Sequence, residues 1–128
     1  MATEALTDAI TRSYKAEADY RLMQYHAVKV GAAEGGVLLA GAGEGFGILV
    51  NKPNLNEAAR VVRCGCAKAY VDGTAGGGIA IGSYLKADAS GHLVVTTTDN
   101  DNCVAKAEAA STAAGDIIEV FVLPGLRY

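Results

Sequence analysis

At 128 residues the chain has the length of one domain and enough mass to bury a single core. Its hydrophobic content of 51% is globular, and its sixteen glycines lack the three-residue period of collagen, so they read as turns between short elements. A net charge of −3 gives no electrostatic basis for nucleic-acid binding, and no apolar run approaches the roughly 20 residues of a membrane-spanning helix.

Residues 1–20 carry no strand pattern and read as an N-terminal arm, with residues 21–128 forming the folded domain. Within the arm, Leu6, Ala9 and Ile10 could form one side of a short helix that starts near Glu4 and Asp8. The opening run Met1-Ala2-Thr3-Glu4-Ala5-Leu6-Thr7-Asp8 is acidic and polar where a signal peptide is basic and then apolar, so a cytoplasm-like compartment is expected. Arg12, Tyr14, Lys15, Tyr20 and Arg21 mix aromatic surface with charge, residue types suited to an interface. The expectation is that this arm orders only against a partner, because fixing each residue costs about 1–2 kcal/mol that the partner must offset.

β-type signals begin at Leu22, where Met23, Tyr25 and Ala27 alternate with Gln24, His26 and Val28 before the glycines at 31–36. Val37–Ala40 and Phe46–Val50 flank a glycine-rich connection, and Asn51-Lys52-Pro53-Asn54 has turn chemistry. Arg60–Val71 reads as one long strand, bent or bulged at Gly65. Ser83–Ala87 and His92–Thr97 flank Asp88-Ala89-Ser90-Gly91, a type I turn closing a hairpin. Val104–Ala110 and Ile117–Leu123 are the last two strands, the second expected to bury Ile118, Val120 and Val122 on one face and Ile117, Phe121 and Leu123 on the other. Roughly seven to nine short strands at this spacing indicate an all-β barrel or sandwich. With no tryptophan and two phenylalanines its core is poor in large aromatics, which favours added stability from self-association.

Signals for chemistry are weak. Gly41-Ala42-Gly43-Glu44-Gly45-Phe46-Gly47 lacks the spacing and the following helix of a phosphate loop. Asp99-Asn100-Asp101-Asn102 alternates oxygen ligands, but Val104 and Ala110 stand where a calcium loop needs glycine and glutamate. Cys64 and Cys66 are too close for an unstrained disulfide and lack zinc spacing, so with Cys103 they read as structural thiols. His26 and His92 have no adjacent motif. Lys68, between two alanines, invites comparison with the modified lysine of biotinyl and lipoyl carriers, but it falls inside a strand and lacks their neighbours. The reading is of a non-enzyme with neither cofactor nor metal.

The order of elements resembles the capsid decoration (cement) proteins of tailed bacteriophages. The resemblance rests on Tyr25-His26-Ala27-Val28-Lys29, Gly45–Pro53, Ala59–Gly65, Gly82–Gly91 and Gly115–Val120, and covers roughly residues 20–128. It implies a small glycine-rich β-barrel or β-tulip-like fold, commonly a homotrimer, on the outside of an icosahedral head that it stabilises by bridging capsomers. The implied partners are the major capsid protein and the chain itself, and the location is the virion exterior after assembly in the host cytoplasm. The arm residues Arg12, Tyr14, Lys15, Tyr20 and Arg21 would then touch the capsid. The alternatives are a small β-sandwich carrier or ligand-binding module, and a tail or fibre component of the virion.

Overall fold

The computed structural model describes residues 9–128, and the fold is all-β. Nine strands run β1 Ile10–Ala16, β2 Ala27–Val30, β3 Gly36–Leu39, β4 Gly47–Leu49, β5 Ala58–Asp72, β6 Tyr84–Ala87, β7 Leu93–Val95, β8 Ala105–Ala107 and β9 Ala114–Val122. The single helical element among the described residues is a three-residue 3-10 turn at Ala75–Gly77.

The strands pair in the order β1-β3-β2-β4-β5-β7-β6-β8-β9, with further pairings of β1 to β5 and of β5 to β9. The β1–β5 pairing closes a five-stranded barrel, β1-β3-β2-β4-β5. The β5–β9 pairing, with a single β5–β7 pair at Val71 and Leu93, closes a second ring, β5-β7-β6-β8-β9. β5 belongs to both. It can do so because it is long and because Gly65, at φ 109°, lets the backbone bend where pairing passes from the first ring to the second.

The two rings match in topology and register. Each has one parallel pairing, β1–β3 or β5–β7, and the rest are antiparallel. Val28, Lys29 and Val30 face Leu39, Leu38 and Val37, as Leu85, Lys86 and Ala87 face Val95, Val94 and Leu93. Ile48 and Leu49 face Val62 and Val61, as Lys106 and Ala107 face Phe121 and Val120. The lumens correspond as well. Ala16, Val28, Val37, Leu49, Ala59 and Val61 fill the first, and Val71, Leu85, Leu93, Ala107, Ile118 and Val120 stand at the matching positions of the second. All twelve are buried.

Between the rings, Ala27, Ile48 and Val62 of the first ring's outer face share a buried cluster with Val104, Ala105 and Val122 at one end of the second. The outside of the first ring thus plugs the mouth of the second. Close approach inside the first ring depends on Gly47, where an added Cβ would lie 2.5 Å from the Val62 carbonyl oxygen. Gly47→Ala should therefore lower stability by about 1–3 kcal/mol, as overpacking does, read as a fall in the denaturation midpoint at unchanged slope.

Three expectations are corrected. From Ile10 onward the segment read as a free arm, helix at its start, is a strand paired with β5 and β3, and Tyr20 is buried. The part of that reading that falls on residues 1–8 lies outside the described residues. The alternation from Leu22 to His26 does not make a strand: these are turns, with Tyr25 at φ 71°, and β2 starts at Ala27. Finally, Ile118, Val120 and Val122 are buried as expected, whereas Ile117 is 50% exposed and Phe121 and Leu123 are half-buried, because the outer face of β9 has no layer over it.

Candidate interaction surfaces

The five residues expected to touch a partner are dispersed by the fold. Tyr20 is structural: its ring packs in the first lumen and its hydroxyl accepts a 2.7 Å hydrogen bond from the Leu39 amide. Lys15 is exposed on β1, opposite Ala58 and Gly36. Arg21 lies in the turn after Tyr20 and binds Asp19 through two side-chain hydrogen bonds, Nε to Oδ1 at 2.9 Å and Nη2 to Oδ2 at 2.8 Å. Those bonds hold the Asp19 carboxyl down at about 2. Next to this pair Leu22 is 90% exposed, at the rim of a shallow groove formed with Asp19, Arg21 and Met23. Sequence reading did not single out this exposed leucine, which the ion-paired turn holds away from the core.

Arg12 and Tyr14 belong to a different place, the mouth of the first ring. There the Arg12 guanidinium sits 5.0 Å from the Tyr14 ring centre, Tyr14 meets Phe46 edge-on at 5.6 Å, and Arg63 lies 5.8 Å from Phe46. Both arginines remain exposed. Such guanidinium–aromatic stacking fixes flat, polarisable surface with charge at its edge, a composition typical of contact residues.

A third surface is the outer face of β8 and β9, where Ile81, Lys106, Glu108, Phe121 and Leu123 line an open groove. Lys106 lies 5.0 Å from the Tyr84 ring centre, and Tyr84 meets Tyr128 edge-on at 5.3 Å. Ile81 in this groove is 75% exposed, and Ile117 on the same strand face as Phe121 is 50% exposed.

No enzyme-like constellation is assembled by the residues weighed as candidates. Lys68 is exposed within β5, not at a hairpin tip. Asp101 accepts from the Thr96 hydroxyl at 2.6 Å and from Lys86 at 3.1 Å, which lowers its pKa and makes it the anchor of its own loop. Asp88 accepts from the amides of Ser90 and His92, the turn chemistry expected of the β6–β7 hairpin. Among the described residues no group of three or more His, Cys, Asp or Glu could hold a metal ion, and no helix is long and apolar enough to cross a membrane. Cys103 is buried, which pushes its thiol pKa up, and Cys64 and Cys66 are half-buried on β5.

The two histidines meet at the seam between the rings. His26 is buried and stacks on Tyr70 at 4.6 Å, His92 contacts Tyr70 at 4.7 Å, and the imidazoles are 5.0 Å apart. Burial lowers the His26 pKa, partly opposed by its bond to the Gln24 carbonyl, and His92 lowers it further. Asp88, 3.7 Å from His92, and Asp72, which also feels the His92 charge, are the acidic groups near the pair. The folded state thus holds His26 neutral, and the unfolded chain binds its proton first as pH falls below the unperturbed value of about 6.5. Stability should be full above that pH and decline from it toward pH 5. A His26→Phe variant should show a flatter melting temperature over pH 8 to 5, and an unchanged slope would show that His26 is not the group responsible.

No protein-family model and no curated protein matches the sequence. Among solved structures, the chain is similar to the crystal structure of the head fiber gp8.5 N base in bacteriophage phi29, with a TM-score of 0.66 at 13% identity. The match covers 93% of this chain and 98% of that one. At this identity the likeness is one of fold: both are β-structures of the same arrangement over nearly their whole length.

Proposed function

We propose that this chain is a structural protein of a bacteriophage virion, without enzymatic activity, that sits on the outer surface of the head. There it binds the major capsid protein and stabilises the shell by bridging capsomers as a homotrimer. The observation that carries the reading is the likeness of fold, over 93% of the chain, to a phage head-fibre base. The turn at Asp19–Met23 supplies the head contact: Leu22 is 90% exposed beside the Arg21–Asp19 ion pair, so an apolar side chain is presented with a polar pair at its edge. Arg12 and Tyr14, at the mouth of the first ring, lie apart from this turn.

The test is co-sedimentation of the purified protein with heads of the phage that encodes it, in expanded and unexpanded form. Stoichiometric binding to expanded shells is expected, weakened at least about tenfold by Leu22→Asp, a charge placed in an apolar contact. Failure to bind either form would sink the proposal, and normal binding by the Leu22 variant would move the contact elsewhere. A second reading, a domain that seats a head fibre, is favoured by the neighbour being a head-fibre base. Electron microscopy of virions labelled on this protein separates the two: projecting fibres for the second, a low knob for the first.

A further inference from the structure

Because the two rings share one register, the paired strand residues of the first ring have counterparts in the second. Ala27, Ile48 and Val62, the outer-face residues of the first ring that plug the second ring's mouth, correspond to Tyr84, Lys106 and Phe121. Val50, which packs against the same buried cluster, corresponds to Glu108. In the first ring these positions are covered; in the second, Lys106, Glu108 and Phe121 line the open groove. The mouths correspond too. Val104, Val122 and Ala67 of the second ring, packed against the first, match Phe46, Arg63 and Arg12 at the mouth of the first, where Phe46 is half-buried and both arginines are exposed. One chain therefore carries one satisfied ring-to-ring contact and, at its two ends, the two unsatisfied halves of another.

We propose that copies of this chain join head to tail, the mouth of the first ring of one copy seating on the outer face of the second ring of its neighbour. Charge complementarity supports a second copy as occupant. The mouth presents Arg12 and Arg63, the face presents Glu108 with Glu119 two residues from Phe121 on the same side of β9, and none of these four enters an ion pair among the described residues. Lys106 is drawn aside onto Tyr84. The contact is heterologous, since different patches meet, so it closes into a ring when the rotation between copies permits and extends into a filament when it does not. This inference rests on the self-association included in the proposed function, and it supplies the surfaces.

Light scattering coupled to size exclusion, on the full chain without heads, tests it. The wild type should be oligomeric at tens of micromolar. Glu108→Arg and Arg63→Glu, both at exposed positions, should each weaken association at least about tenfold, because like charges then meet across the contact. Their melting should remain cooperative, and the double variant, with the charges exchanged, should regain the wild-type mass. A monomeric wild type would overturn this inference together with the homotrimer. An oligomeric wild type whose single variants keep their mass, or whose double variant stays dissociated, would overturn the surfaces alone. Head binding, read separately by sedimentation through Leu22, is untouched by either result.

Discussion

Val120→Asp should yield no folded protein. Val120 is fully buried in β9, paired with Ala67 of β5 on one side and Ala107 of β8 on the other, and it faces the lumen of the second ring. A carboxylate there has no cation within the lumen, which is lined by aliphatic side chains. Leaving a buried charge uncompensated costs about 3–5 kcal/mol, against a total stability of roughly 5–15 kcal/mol for a domain. Loss of soluble expression, or of a cooperative thermal transition by circular dichroism, is the expected result. A variant that melts normally would mean that β9 is an exposed edge, which its pairing on both sides contradicts.

Removing Ile10–Ala16 should be equally damaging. β1 contributes six register pairs with β5 and two with β3, and it is the strand that closes the first ring. Without it, Val37, Val61 and the Tyr20 ring lose the Ala16 side of their lumen and two strand edges open to solvent. The truncated chain should aggregate or remain unfolded, whereas a disposable arm would leave the melting temperature unchanged. Either outcome is visible in a single thermal scan of the two proteins.

The arm was misread for a physical reason. β1 is exposed over most of its length, with only Ala16 fully buried, so it lacks the period-2 hydrophobicity from which strands are recognised. Its conformation is imposed by hydrogen bonding to β5, a non-local cause that residues 10–16 do not express. The elements legible in the sequence were those whose cause is local: the bend at Gly65, the Asp88–Gly91 turn and the buried face of β9. The exposed outer face of β9 was taken for core because Ile117, Phe121 and Leu123 are apolar; composition cannot say whether a second layer exists. The likeness of the two rings leaves only a faint trace in the sequence. Val28-Lys29-Val30 followed by Gly35-Gly36-Val37-Leu38-Leu39 runs parallel to Leu85-Lys86-Ala87 followed by Gly91-His92-Leu93-Val94-Val95, but the intervening turns differ in length and hide the period. Of the candidate surface, only the charge and aromaticity of Arg12 and Tyr14 were readable; Phe46 and Arg63 join them through the barrel.

The strand common to both rings also governs how the molecule comes apart. Residues 10–72 contain every strand of the first ring and residues 58–128 every strand of the second, yet a single copy of β5 must complete both. Opening along β5 would expose part of both lumens, so local fluctuations are expected in the hairpins and loops, with β5 opening only with the whole chain. Amides of Val61, Val62, Ala69 and Val71 should exchange with solvent at the rate set by global unfolding, and heating should give one transition rather than two despite the twofold architecture. A protein built from two like rings should thus unfold as one cooperative unit, without the partly melted intermediate that two separately folding repeats would populate.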